Sequence, residues 1–293
     1  MRKSNSRFII ISGIVLAGIG VLFLLIAFKP RKIEFEKYER SVFSQSGEDG
    51  ILEKIFEIIK PTHRYAIEFG AGDGIKNSNV RHLITHQDWG GLLIEGDDKL
   101  ADVCEDNYIK YPKVRTLQAW IYPGNIELIF EENSVPKDLD LLIIDIDSND
   151  YYVWKAIHDF RPKVVQIEFN GTFAPPQKMV VDFHPMNYWD EESFYYGASI
   201  QSLYELGKRK GYELIYVNRF GLNLFFVDKK YFKRFGIKDN FPIKLFRPHM
   251  LGKTFTVNNK NQITHPDGLF VPGIEDDLVY SNLKIRKKFH FNR

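Results

Sequence analysis

One stretch of the chain has the residue types and spacing to hold a ligand against its backbone. Residues 68–74 read Glu68-Phe69-Gly70-Ala71-Gly72-Asp73-Gly74 and follow Tyr65-Ala66-Ile67, an apolar run that predicts a buried strand. Glycine permits both positive φ angles and the close approach of a bound group. The stretch therefore indicates a loop for a nucleotide-type cofactor, or else an ordinary glycine-rich turn between a strand and a helix.

A second set of chemically useful residues lies at the predicted ends of later strands. Ligands of open α/β sheets bind beyond the carboxyl ends of the strands, so these residues would gather beside the glycine loop. Glu95 comes 21 residues after Gly74 and could accept hydrogen bonds from ribose hydroxyls, as the acid of a dinucleotide fold does. The alternative for Glu95 is a solvated charge. The full set is Glu95, Ala119, Trp120, Asp145, Asp147, Glu168 and Asn170.

The spacing of the glycines favours one cofactor over another. A dinucleotide site has the pattern G-x-G-x-x-G, whereas here the glycines fall at positions 70, 72 and 74. Asp73 lies inside the loop, where its charge would repel a pyrophosphate. An acidic loop instead suits a ligand that carries a cationic sulfonium and an amino group, which is S-adenosylmethionine.

From about residue 44 to residue 228, the chain resembles the FkbM-like family of class I S-adenosylmethionine-dependent methyltransferases. The order of the matching blocks is more specific than any single block. One departure is Ser148, where the family pattern has glycine. The blocks are Ser44-Gln45-Ser46-Gly47-Glu48-Asp49-Gly50, the loop 68–74 with Asn77-Ser78-Asn79, Trp89-Gly90-Gly91-Leu92-Leu93-Ile94-Glu95, Asp145-Ile146-Asp147-Ser148-Asn149-Asp150-Tyr151, Gln166-Ile167-Glu168-Phe169-Asn170, Gly211-Tyr212-Glu213-Leu214 and Gly221-Leu222-Asn223-Leu224-Phe225-Phe226-Val227.

The resemblance implies a role for each residue at the strand ends. The loop would line the methionine end of the cofactor, Glu95 would hold the ribose, and Ala119 and Trp120 would lie near adenine. Asp145 or Asp147 would face the methyl group that is transferred. The implied cofactor-binding residues are Glu68, Gly70, Ala71, Gly72, Asp73, Glu95, Ala119, Trp120 and Asp145.

Methyl transfer to a hydroxyl needs alignment of the acceptor and removal of its proton. Asp147, Glu168 and His184 are the candidate bases, although a lone histidine in a loop more often serves packing or lies at the surface. Asp147, Glu168 and Asn170 could alternatively hold Mg²⁺, which prefers hard oxygen ligands. The simpler interpretation is that these residues cap helices and bind water.

The irregular segment 171–196 is the expected cover over the acceptor. It carries an aromatic cluster beside the acids at positions 190–192, which would suit a sugar or another polyhydroxylated acceptor, or would simply pack the cover. The sequence therefore predicts a small-molecule or glycan acceptor without identifying it. The aromatic residues are Tyr188, Trp189, Phe194, Tyr195 and Tyr196.

Two other functions are compatible with part of the pattern. Asp145-x-Asp147 after an apolar strand also resembles the metal-binding pair of glycosyltransferases, but this leaves the glycine loop and Glu95 unexplained. A non-catalytic, membrane-tethered binding domain is the third possibility, against which the intact acidic and glycine positions argue.

The elements that position these residues alternate along the chain. Five apolar runs, at 64–69, 91–95, 114–119, 139–147 and 163–170, alternate with helical patterns and predict parallel strands covered on both faces. Two further strands, 212–218 and 222–228, joined at 219–221, predict a hairpin. The expected fold is α/β and Rossmann-like, that of a class I methyltransferase. It has a mostly parallel seven-stranded sheet and an antiparallel C-terminal hairpin.

An uncharged run of 21 residues, 8–28, matches the length of a transmembrane helix. The run ends in Ala27-Phe28-Lys29-Pro30, a poor cleavage site for a signal peptide, so the sequence predicts a retained single-pass anchor. Basic residues flank both ends, and Lys37 and Arg40 tilt the balance toward a cytoplasmic catalytic domain. The predicted organisation is an anchor over 1–28, a linker over 29–43, a methyltransferase domain over 44–230 and a C-terminal extension over 231–293.

Composition excludes several classes of protein. The 293 residues carry 40 basic and 38 acidic side chains, well mixed, so no nucleic-acid partner is expected. Cys104 is the single cysteine, which excludes a disulfide framework and a cysteine zinc site within one chain. Nothing in the composition predicts an oligomeric state.

Overall fold

The fold is a seven-stranded sheet with helices on both faces. A computed structural model describes residues 30–185, 189, 195–249 and 271–272. The strands are β1 (Tyr65–Phe69), β2 (Gly90–Glu95), β3 (Val114–Gln118), β4 (Leu141–Ile144), β5 (Val164–Glu168), β7 (Tyr212–Val217) and β8 (Asn223–Asp228). They lie in the order β3-β2-β1-β4-β5-β8-β7. Strands β1 to β5 pair in parallel, and β8 runs antiparallel to β5 and β7. The predicted sheet with its antiparallel hairpin is confirmed.

Helices lie between the parallel strands, as the alternating pattern predicted. They are α1 (Glu48–Ile59), α2 (Arg81–Gln87), α3 (Asp98–Tyr108), α4 (Ile126–Glu132), α5 (Asp150–Ala156), α6 (Ile200–Arg209) and α7 (Pro242–Leu245), with 3-10 helices at Phe35–Lys37 and Lys229–Phe235. Helices α3 and α6 begin at side-chain caps, where Asp97 accepts from the Leu100 amide and Ser199 from the Ser202 amide. A two-residue strand β6 (Met179–Val180), paired with β9 (Val271–Pro272), was not expected from the sequence.

Two apolar layers hold the helices to the sheet. Side chains of the strands alternate between the layers because successive residues of a strand point to opposite faces. One layer packs α4, α5 and α6, with Phe130, Trp154 and Leu203 at its centre. The other packs α1, α2 and α3 and includes Phe35 and Phe235, which lie on either side of the predicted domain 44–230. Residues flanking that range therefore contribute to the same core.

Within the described residues, no helix is long and apolar enough to cross a membrane. The predicted anchor over 8–28 lies outside them, as does most of the predicted C-terminal extension beyond residue 249.

Candidate active site

The residues predicted to do chemistry lie along one edge of the sheet. Parallel pairing of β3, β2, β1, β4 and β5 brings their carboxyl ends side by side. The glycine loop follows β1, Glu95 ends β2, and Trp120 lies just beyond β3. Asp145 follows β4, and Glu168 ends β5. The carboxyl ends of the strands therefore present Trp120, Glu95, the loop, Asp145 and Glu168 in one continuous row.

Two glycines of the loop have different structural demands. Gly70 has φ +65°, and a Cβ atom there would come within 1.9 Å of the backbone oxygen of Asp145. Gly72 has φ +55°, and a Cβ atom there would meet nothing within 4 Å. Gly70 thus lets the chain approach closely where β1 and β4 end, while Gly72 borders open space in which a ligand could lie.

Glu95 ties the glycine loop to the end of β2. One carboxylate oxygen accepts from the Gly72 amide at 2.7 Å and the other from the Asp97 amide at 2.9 Å. The side chain is partly exposed, so its remaining lone pairs are available to a ligand. Glu95 therefore both shapes the loop and offers an acceptor where the sequence predicted a ribose contact.

Trp120 presents a broad apolar face next to Glu95. Its indole lies so close to Gly96 that a Cβ atom on that glycine would come within 3.1 Å of the ring. The Trp120 side chain is 47% exposed. Ala119 precedes it and donates its amide to the carbonyl of Glu95 at 2.8 Å. An exposed ring fixed beside a strand-end acid is suited to stacking against a planar base.

Asp73 and Ala71 serve the local conformation of the loop. The Asp73 carboxylate accepts from the amides of Ile75 and Lys76 at 2.8 and 2.7 Å, which forms a turn. Ala71 is buried and donates its amide to the carbonyl of Ile94. Both residues hold the loop through contacts within the protein.

Glu68 is buried under the loop and anchors its far end. The carboxylate is 2% exposed and accepts from Ser78 Oγ at 2.8 Å and from the Asn79 amide at 2.6 Å. Burial raises the pKa of Glu68 from 4.5 to about 7, although the same hydrogen bonds act in the opposite direction. The contacts of Glu68 with described residues are thus structural.

We expect Glu68→Gln to flatten the pH dependence of stability. The folded-state pKa lies above the unfolded one, so the contribution of Glu68 is present below pH 4.5 and is lost as the pH rises through 7. Glutamine has no charge to bury, and the difference in unfolding free energy between pH 5 and pH 8 should shrink by about 2.5 kcal/mol. Urea unfolding at both pH values measures it. The exposed Glu132→Gln is the control, and an equal change there would contradict the prediction.

The block 44–50 braces the same loop, a role that its sequence did not reveal. Asp49 accepts from the amides of Val42, Phe43 and Ser44 at 2.7 to 2.9 Å. Ser44 in turn forms a parallel bridge with Asn77, in the segment that Glu68 holds. The sequence carries no signal that distinguishes this use of Asp49 from contact with a ligand.

Three carboxylates form a tight group at the ends of β4 and β5. Oxygen atoms of Asp145, Asp147 and Glu168 all lie within 4.8 Å of one another. Burial, followed by repulsion from Asp147, raises the pKa of Asp145 well above its usual range. Burial and then repulsion from Asp145 do the same for Glu168. The group therefore favours a shared proton or a nearby cation over three negative charges.

A fourth acid, Asp150, fixes the turn that carries Asp145 and Asp147. Its two oxygens accept from the amides of Ile146 and Ser148 at 2.9 and 3.0 Å, and burial raises its pKa to about 6. The backbone of Asp147 has φ +60°. Aspartate is one of the few residues that tolerate this left-handed conformation. The residue with positive φ is therefore Asp147, one position before Ser148, where the family pattern has glycine.

Asn170 and His184 each form hydrogen bonds with neighbouring segments of the chain. Asn170 is fully buried, donates to the carbonyl of Tyr196 at 3.0 Å and accepts from the Thr172 amide at 3.1 Å. His184 is exposed, and its carbonyl accepts from Asn149 at 2.8 Å. The amide of Asn170 thus helps to shape the loop after β5, and its predicted role as a metal ligand stays a prediction.

Part of the predicted aromatic cover lies beside the carboxylates. Tyr196 is 3% exposed, and its ring lies 5.2 Å from that of Trp189. Burial and the charge of Glu168 raise the pKa of Tyr196 well above its usual value. Tyr196 is therefore a neutral hydroxyl facing negative charge. Tyr188 and Phe194 lie outside the described residues.

Comparison with known proteins gives only distant similarities. No family model and no curated protein matches the sequence. A putative caffeoyl-CoA O-methyltransferase from Staphylococcus aureus is similar at 14% identity over 66% of this chain and 88% of that chain, with a TM-score of 0.44. The N-terminal domain of EvdMO1 with SAH bound is similar at 14% identity over 64% and 82%, with a TM-score of 0.41. A SAM dependent methyltransferase from Aquifex aeolicus is similar at 12% identity over 60% of this chain and 88% of that chain, with a TM-score of 0.36.

Proposed function

We propose that this chain is a membrane-anchored S-adenosylmethionine-dependent methyltransferase that methylates a hydroxyl of a sugar, a glycan or another small polar acceptor. The observation that carries the proposal is the row at the carboxyl edge of the sheet. Glu95 is bonded to the glycine loop, Trp120 lies exposed beside it, and the carboxylate group follows two strands away. This row offers a polar contact, a stacking surface and negative charge to a single extended ligand.

Each part of the row matches one part of that cofactor. Trp120 offers a face for adenine, and Glu95 offers acceptors for the ribose hydroxyls. Gly72 leaves room for the rest of the molecule to lie against the backbone. Asp145 and its neighbours provide negative charge for the sulfonium. Bound there, S-adenosylmethionine would supply an electrophilic methyl group.

The residues of the chain then have to prepare the acceptor. The acceptor hydroxyl would have to lie in line with the methyl carbon and the sulfur that it leaves, and its proton would pass to a base of this chain. Asp147, Glu168 and His184 remain the candidate bases, and burial raises the pKa of Glu168, which makes this carboxylate a stronger proton acceptor. Exclusion of water by the segment 171–196 would favour methyl transfer to the acceptor over transfer to water.

The carboxylate group also fits a divalent cation such as Mg²⁺. Its donors are hard oxygens, and Glu168 Oε2 is buried without a hydrogen-bond partner among the described residues. Asp147, Glu168 and Asp145 would hold the ion, while Asn170 stays engaged with backbone groups. A cation there would lower the pKa of an acceptor hydroxyl.

We also propose that residues 8–28 anchor the enzyme with its catalytic domain in the cytoplasm. The length and apolar character of the run support the anchor, and S-adenosylmethionine is made in that compartment. Accessibility of a tag placed after residue 293 to protease in sealed vesicles tests the orientation.

The deciding experiment is titration calorimetry of the purified protein with S-adenosylmethionine and, separately, with nucleotide-sugars. Saturable binding of S-adenosylmethionine is expected. Binding of a nucleotide-sugar alone would favour the glycosyltransferase, and binding of neither would leave a non-catalytic domain.

Glu95→Ala is expected to weaken S-adenosylmethionine binding by about 10-fold to 100-fold. The substitution removes the charged acceptor that Glu95 would offer to the ligand, and it leaves the Gly72 amide without its present acceptor. Hydrogen bonds to charged groups contribute about 1.5–3 kcal/mol each. Asp98→Ala, an exposed acid three residues later on α3, is the matched control and should bind as the unsubstituted protein does. Equal Kd values for both variants would remove Glu95 from the site.

A further inference from the structure

Basic side chains crowd one segment that follows the sheet. Residues 229–244 contain six basic residues and one acid, Asp239. All six basic side chains are exposed. We call this segment the basic surface; its cations are Lys229, Lys230, Lys233, Arg234, Lys238 and Lys244.

The described chain begins directly against the basic surface. Ile33 donates its amide to the carbonyl of Phe235 at 3.0 Å. A Cβ atom on Gly236 would meet backbone atoms of Pro30 and Arg31 at 2.5 Å. Lys32 and Lys244 line one small cavity. Residues 30–33, with exposed Arg31 and Lys32, therefore lie within this surface and add two cations to it.

Two apolar side chains project from the same segment. Phe241 and Ile243 are 61% and 64% exposed, on either side of buried Pro242 at the start of α7. Exposed apolar residues among lysines are the pattern of proteins that rest in the interfacial region of a bilayer. A surface that served only solubility would not need them.

The sequence places a bilayer next to this surface. Only Lys29 separates the apolar run 8–28 from Pro30. We infer that the basic surface docks onto the anionic headgroups of the membrane in which residues 8–28 are anchored. The inference rests on the anchoring part of the proposed function and not on methyl transfer. Basic groups near a cytoplasmic leaflet are attracted by its anionic lipids, over about 10 Å at ordinary salt.

Site-specific labelling of the full chain in vesicles tests the docking. Cys104 is 1% exposed, so a cysteine introduced as Ile243→Cys is the one that an environment-sensitive fluorophore will modify. Ile109→Cys is the matched control, since Ile109 is 78% exposed next to β3, at the opposite edge of the sheet. Quenching by aqueous iodide is compared in vesicles of phosphatidylcholine alone and of phosphatidylcholine with phosphatidylserine.

We expect the label at position 243 to be quenched about threefold less in the phosphatidylserine vesicles, with no change at position 109. Lys229→Glu, Lys233→Glu and Lys244→Glu together should restore full quenching. The same charge change at Lys99, Lys110 and Lys113 should not. Equal quenching in both lipids, or protection that survives the first triple substitution, would overturn the inference.

Flotation of unlabelled protein separates failure of the anchor from failure of the docking. Protein that floats with phosphatidylcholine vesicles has an anchor, whatever the label reports. Protein that floats only with phosphatidylserine vesicles, and is released by the triple substitution at 229, 233 and 244, docks without an anchor. Protein that floats with neither has neither property. Calorimetry with S-adenosylmethionine is independent of all three results.

Discussion

Asp147→Asn is expected to lower turnover about 10²-fold to 10⁴-fold while changing S-adenosylmethionine affinity little. Asp147 lies in the group with Asp145 and Glu168, at the end of the row where the acceptor would meet the methyl group. Loss of a base, or of an oxygen ligand that activates the acceptor, removes stabilisation of the transition state more than binding of the cofactor. Single-turnover rates and titration calorimetry measure the two effects separately.

Asparagine is the informative substitution because the backbone at position 147 has φ +60°. Asparagine tolerates this region, whereas alanine would add strain. Asp88→Asn is a close control, since Asp88 is an exposed aspartate with φ +59° at the end of α2, away from the carboxylates. Turnover equal in the two variants would exclude Asp147 from catalysis. Partial recovery with excess Mg²⁺ would identify it as an ion ligand rather than a base.

Gly70→Ala is expected to lower the unfolding free energy by about 3 kcal/mol or more. Two penalties combine at this position: a left-handed φ of +65° and a Cβ atom 1.9 Å from the backbone oxygen of Asp145. The clashing atom belongs to the backbone at the end of β4, so a change of side-chain rotamer cannot relieve the contact. Relief would require β1 and β4 to move apart at the edge that carries the site.

Gly72→Ala separates the two penalties. It has a similar φ of +55° but open space around the added methyl group, so the loss should be about 1 kcal/mol. Gly72→Ala should also lower the affinity for S-adenosylmethionine, because the added methyl group enters the space proposed for the ligand. Denaturant unfolding of both variants checks the difference, and equal losses would mean that contact with β4 does not constrain Gly70.

The sheet was predictable because its strands are continuous apolar runs. Leu141–Ile144 and Val164–Glu168 are buried along nearly their whole length, and such runs separated by helical patterns leave few arrangements other than a parallel sheet. Ends were harder to predict. The predicted strand 139–147 is shorter in the structure because Asp140 accepts from the amides of residues 62–64 and Asp145 turns away into the loop.

The row of residues at the carboxyl ends of the strands was predictable, but the hydrogen-bond partners of those residues were not. A carboxylate at a strand end can face a ligand, as the contacts of Glu95 allow, or fold back onto backbone amides, as Glu68 and Asp49 do. Both uses need the same residue type at similar spacing. Only the distance to amides that are far along the chain distinguishes them, and a single sequence does not contain that distance.

The crowded carboxylates have a consequence for release of product. In the proposed function, a sulfonium would lose its positive charge when its methyl group leaves, so the ligand bound before transfer would be a cation and the one bound afterwards would be neutral at sulfur. Asp145 and Glu168, whose pKa values are raised by burial and by neighbouring carboxylates, would interact more favourably with the first than with the second. The carboxylates that attract S-adenosylmethionine would thus bind the demethylated product less tightly. Inhibition by that product would therefore be limited.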